Sequence, residues 1–181
     1  MLGDHLEIDE NGGEQEPMSE VPEELAWHEA GHAVAAILLG FHVHSVEIKD
    51  EGSSDFLHAV IGIAGETHST ASTLAASAPS AVRWHSAVVA MAGRAAREFR
   101  WPDVDEHWAN LEADDRKRAL ALFQRDEAPE ARLAEAYSHA QRLAAENVEA
   151  IHAVAELIIR AGVPGTVAGG DIERAVRAAV E

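Results

Sequence analysis

A helix over residues 19–39 is the strongest constraint this sequence places on its own fold. Ser19 stands where an N-cap belongs, Pro22 falls in the first turn, Gly31 is the one interior breaker, and Gly40 supplies a stop. Beyond His32 the run is apolar as far as Phe41, so this helix needs apolar neighbours rather than solvent. The composition can supply them: 47% of the residues are hydrophobic, alanine dominates that fraction, and aromatics make up only 5%. Small side chains let helix axes approach, which favours packed helices over a sheet sandwich. A chain of 181 residues fits one such domain with a buried core.

The remaining elements follow from period and punctuation. Residues 41–49 alternate Phe41, Val43, Ser45 and Glu47 against His42, His44, Val46 and Ile48, which predicts a short strand. The turn-rich residues 50–54 separate it from a second strand at 57–64, so the two are expected to pair as a hairpin. Residues 65–79, rich in Ser, Thr and Ala, read as a loop. A helix over 80–99 ends at Trp101-Pro102, because the residue before proline disfavours helical geometry. An amphipathic helix is expected over 112–123, and a long one from Pro129 to about Arg160. The glycines and proline between 162 and 170 predict a loop, after which Asp171 caps a last helix over 172–180.

Charge excludes one class of partner. The formal net charge is −18 with only 14 Lys and Arg, which leaves no basic stripe to neutralise a phosphate backbone, so no nucleic-acid binding is expected. Nine of the acids lie in the first 25 residues, and residues 1–18 offer little to bury, so they are expected to form a disordered acidic tail ahead of a single domain at 19–181. The longest apolar stretch is too short to span a bilayer and the acidic start is unlike a signal peptide, so a cytoplasmic protein is expected. Cysteine is absent, which restricts any metal site to imidazole and carboxylate ligands.

The first helix contains His28-Glu29-Ala30-Gly31-His32. Two imidazoles at i and i+4 lie one turn apart on one face, where both can reach a single metal ion. Zinc bound there would lower the pKa of a water from 15.7 to roughly 7 and polarise a peptide carbonyl. Glu29 is then the expected general base, taking a proton from the water and returning it to the leaving amine. A catalytic zinc needs a third protein ligand. A metzincin would place His at 38 and Gly at 35, but the sequence has Leu38 and Ala35. The open candidates are Glu66, Glu98, Asp103, Asp105, His107, Asp114 and Asp115, and spacing does not choose among them.

Beyond that pentad, four blocks in order resemble the peptidase domain of FtsH-type zinc proteases. His28 to Val34 matches their HEAGHAV helix, and Met91-Ala92-Gly93-Arg94-Ala95-Ala96-Arg97-Glu98 resembles their LAGRAAEE helix. Asp114-Asp115-Arg116-Lys117-Arg118-Ala119 is similar to their ND-x-x-RA segment, and Glu146-Asn147, Val154 to Ile158 and Gly170-Asp171-Ile172 to the end of that domain. The resemblance implies a mainly α (α+β) zincin-like peptidase domain with a small hairpin or short sheet beside the HEAGH helix. It implies one Zn²⁺ held by His28, His32 and Asp115, with Glu29 catalytic; Asp114 is the nearest competitor for the third ligand. The family's ATPase module, membrane segments and Gly-rich insertion are lacking, and Asn110 to Ala113 replace its usual Thr-Gly-Ala. The expected activity is therefore ATP-independent cleavage of peptides or unfolded segments, with a homo-oligomer or a separate substrate-delivery partner left open. Peptides could add to the hairpin edge by strand pairing.

Two other functions compete: a catalytically silent zinc-binding scaffold, and a helical interaction module without metal. Retention of Glu29 argues against the first, since a structural site needs no base. Among other residues, His42 and His44 are expected to face solvent, and Asp103, Asp105 and His107 to serve a loop as salt-bridge or capping groups. Trp27 is expected to shield the site helix, and Trp84 and His85 to pack or face solvent without an assignable partner.

Overall fold

The computed structural model describes residues 21–50, 57–64, 79–102 and 109–181. The elements among them are α1 (Glu23–Leu38), β1 (His42–Asp50), β2 (Leu57–Ala64), α2 (Ser80–Arg100), α3 (Ala109–Ala121), α4 (Pro129–Glu146), α5 (Val148–Ala161), β3 (Gly165–Ala168) and α6 (Gly169–Val180). The described chain is mainly helical with one small antiparallel sheet, as its composition and periodicity predict. The expected acidic tail, most of the 65–79 loop, and the Asp103, Asp105 and His107 cluster lie outside the described residues. Among the described residues no helix is long and apolar enough to cross a membrane.

Helix α1 is the centre of the fold. All twelve residues from Leu25 to Ala36 are buried, which only a helix enclosed on every side can achieve. Helices α2 and α5 and the sheet enclose it. It begins at Glu23 rather than just after Ser19, because Pro22 is extended at ψ 133° and holds the cap position. It ends as expected at Gly40, whose φ of +84° suits glycine. There the amides of Gly40 and Phe41 donate to the carbonyls of Ile37 and Ala36 at 3.0 and 2.9 Å, closing the last turn. Gly31 lets α2 come close: a Cβ at that position would lie 2.5 Å from the Ala92 carbonyl oxygen and 2.6 Å from the Ala96 methyl.

The two predicted strands pair antiparallel, from His42 opposite Ala64 to Asp50 opposite Leu57. Strict alternation fails at one point. The register shifts between Val43 and Ser45, and this bulge changes the phase of the side chains, so that Val43, Val46 and Ile48 are all buried. His42 and His44 are exposed, as expected.

Three further sequence expectations need correction. The predicted 162–170 loop contains β3, which pairs antiparallel with β1 from Ser45–Ala168 to Ile48–Gly165 and gives the sheet order β2-β1-β3. Four residues that begin with Gly165 and run into Gly169-Gly170 carry no legible alternation, so the pairing itself defines the strand. The long helix expected from Pro129 is two, α4 and α5, divided at Asn147. Both the backbone amide of Asn147 and its side-chain amide donate to the Leu143 carbonyl, at 3.1 and 2.9 Å. That ends α4 against α2 and frees α5 to turn onto α1. Finally, α6 starts at Gly169, and Asp171 pairs with Arg174 within its first turns rather than capping it. A side chain at 169 would collide with the Val43 carbonyl, so glycine is what lets α6 begin against β1.

Candidate metal centre

Because α1 is buried all round, its polar residues are buried with it: His28 is 1% exposed, Glu29 5% and His32 9%. Buried polar groups need partners, and the partner here comes from α3. Asp115 Oδ2 lies 3.1 Å from His28 Nε2 and 3.2 Å from His32 Nε2, while the two nitrogens are 3.0 Å apart. The three side chains form a buried group that could hold a metal ion, and it is the one such group among the described residues.

Two further observations fit a metal. Four ligands held roughly 2.0–2.1 Å from a tetrahedral ion stand about 3.3 Å from one another, close to the 3.0–3.2 Å separations of these three donors. His32 Nδ1 lies 2.7 Å from the Val89 carbonyl, which must accept from it. That bond fixes the tautomer, so a neutral His32 presents the lone pair of Nε2 to the centre. Helix α2 adds a cradle beneath the two rings. A Cβ on Gly93 would lie 2.8 Å from His28 Nε2 and closer still to His32 Nε2, so the ring positions require glycine there.

The electrostatics follow from burial and convergence. Burial disfavours a charged His32 ring, but the adjacent Asp115 carboxylate, as charge and as acceptor, outweighs it and pushes the pKa up to about 9. Burial alone would raise the Asp115 carboxyl, but the His32 charge and bonds from both imidazoles hold it well below the usual range. Glu29 goes the other way: burial pushes its carboxyl up, and the nearby His28 and His32 only partly offset that. In the metal-free protein a proton therefore sits where a cation would.

This sets the pH dependence. His32 stabilises the metal-free fold fully below pH 6.5, and that contribution is lost as pH rises through about 9. The Asp115 contribution is present above the ordinary 3.8 and is lost only on strong acidification. Metal uptake has the opposite sign, because it must displace the His32 proton. Affinity for a divalent metal ion is expected to rise by up to about tenfold per pH unit between 6.5 and 9, while the melting temperature of the metal-free protein falls. Chelator competition and thermal unfolding across that window would check both; flat affinity would contradict the coupled site.

Of the third-ligand candidates, Asp115 joins His28 and His32, and its neighbour Asp114 points to solvent. Glu98 instead bonds Arg94 and accepts from Tyr137. Glu66, Asp103, Asp105 and His107 lie outside the described residues. Trp27, on the site helix itself and next in sequence to His28, is buried, edge-on to Trp101 at 6.0 Å. Trp84 and His85 acquire partners that sequence did not supply: Trp84 lies under Arg132 at 4.6 Å, and His85 meets Phe41 edge-on at 6.4 Å. Sequence also gave no role to the Val89 carbonyl or the Gly93 cradle, since neither has a side-chain signature. No protein-family model matches this chain, and no curated protein matches it.

Proposed function

We propose that this chain is a zinc-dependent metallopeptidase similar to the peptidase domain of FtsH-type proteases. His28, His32 and Asp115 hold one zinc ion and Glu29 is the general base. The observation that carries this reading is the convergence of three donor atoms within 3.2 Å, with a buried carboxylate next in sequence to the first of them. Bound zinc would polarise a peptide carbonyl and bring the pKa of water from 15.7 to roughly 7.

The chain's own residues supply the rest. Glu29, its proton affinity raised by burial, accepts a proton from the attacking water and hands it to the departing amine. Val89 holds the His32 ring in orientation, and Gly93 leaves room for both rings. Strand β2 lies against α1, and its outer edge, unpaired among the described strands, suits an extended peptide bound by backbone hydrogen bonds.

The test is metal analysis of the purified protein combined with cleavage of casein. Zinc near one equivalent, cleavage abolished by a chelator, and activity restored by zinc are the expected results. Iron at that stoichiometry, which two imidazoles and a carboxylate also suit, would overturn the zinc assignment. Full zinc loading with inert protein across varied peptides would overturn the peptidase assignment.

A further inference from the structure

Helix α3 brings Asp115 to the metal centre on an inward face that is partly polar among its described side chains. Its inward stripe, continued into the following turn, is Glu112, Asp115, Ala119 and Phe123, at 6%, 7%, 0% and 1% exposure. Two of these four are acids. Ala113, Asp114, Arg116, Lys117 and Arg118 face solvent, while Ala119 is fully buried and Leu120 packs partly buried against the core. Apolar burial of this kind holds the helix down but has no directional preference.

Glu112 is one turn before Asp115 and meets a buried cation. Arg97, 1% exposed on α2, donates to Glu112 Oε1 from Nε at 3.0 Å and from Nη2 at 2.5 Å. Arg94 approaches the other oxygen at 3.6 Å and is itself held by Glu98 at 2.7 Å. Arg94 directly follows Gly93, the residue beneath the histidine rings, and Arg97 lies one turn further along the same helix. The helix that cradles the imidazoles therefore also grips the helix that carries the carboxylate.

We propose that Glu112 and Arg97 are positioning residues that set Asp115 against His28 and His32. This rests on the zinc site proposed above. A buried ion pair adds little net stability over an apolar pair of equal volume, but its hydrogen bonds are directional, and direction is what a ligand-bearing helix needs. Loss of a group that orients a metal ligand typically costs about 10–100-fold in affinity.

The experiment measures Zn²⁺ affinity by chelator competition, and the visible spectrum of the Co²⁺-substituted protein, for full-length variants whose metal-free unfolding remains cooperative. Glu112→Ala is expected to weaken zinc binding at least tenfold and to change the Co²⁺ spectrum. Arg116→Ala, which removes an exposed ion pair of the same helix with Glu130, should leave both near wild type. Adding Glu112→Ala to Asp115→Ala should weaken binding no further, because Glu112 acts only through Asp115.

Should Glu112→Ala fail to fold, Arg97→Met combined with Glu112→Met keeps the volume without the directional bonds, and the same tenfold loss is expected. Zinc affinity within threefold of wild type in the folded variant, or additive losses with Asp115→Ala, would overturn the proposal while leaving the zinc site intact. A wild-type protein that binds no zinc would overturn both.

Discussion

For the proposed zinc peptidase, replacing Glu29 with Gln is expected to lower kcat for peptide cleavage by about 10²–10⁴-fold, the usual contribution of a general acid–base group, with zinc binding retained. Glutamine keeps the shape and one acceptor oxygen but cannot take a proton. Glu29 is not among the three converging donors, so the metal site should survive. The substitution also removes a carboxyl whose charge is disfavoured by burial, so thermal stability should stay level or rise. A variant that is dead, zinc-loaded and at least as stable as wild type separates loss of chemistry from loss of fold. Equal cleavage by the two proteins would show that Glu29 is not the base. A variant that loses zinc as well would show that Glu29 supports the ligands instead.

Gly93→Ala carries the second large effect, and there two forces oppose each other. Alanine is worth about 1 kcal/mol more than glycine within a helix, so the backbone of α2 gains. The added methyl, however, would lie 2.8 Å from His28 Nε2 and closer to His32 Nε2. Both are ring atoms at the ends of side chains, so the rings can swing aside and the protein still fold. They cannot do so and keep three donors converged. Zinc affinity is therefore expected to fall by about 100-fold, the upper end of what disturbing a ligand's support costs, and the metal-free protein should lose some stability below pH 9 as the His32–Asp115 pair is disturbed. Gly170→Ala is the control, since a Cβ there meets only the end of Arg174 at 3.6 Å and should leave zinc affinity unaltered. Retention of wild-type affinity by Gly93→Ala would mean that the rings do not bind metal where they converge.

The two predictions differ in what sequence reveals about them. Glu29 is visible as a letter between two histidines at helical spacing. Gly93 is visible only as a small residue in a helix, and its role depends on α1 crossing α2 at that height. The same contrast runs through the fold. Strands 42–50 and 57–64 follow from alternation and an intervening turn, but the bulge at His44 and the third strand do not. Asn147 is an ordinary residue of modest helix propensity; the break that it marks shows only where α4 and α5 pack on different partners.

By itself the sequence determined what is local. Helical periodicity puts His28 and His32 on one face, the apolar run after them requires that face to be buried, and Gly40 ends the helix in a left-handed turn. Each depends on a few covalently linked residues, whose geometry the chain cannot avoid. Tertiary structure alone decided which carboxylate meets those rings. Spacing left seven candidates open, and although the FtsH-type resemblance favoured Asp115, bringing it 83 residues along the chain to His32 takes the packing of α3 on α2. Adjacent helical residues point about 100° apart, so Asp114 and Asp115 share a sequence neighbourhood but not an environment. The inward stripe of Glu112, Asp115, Ala119 and Phe123 turns one of them to the centre and the other to water.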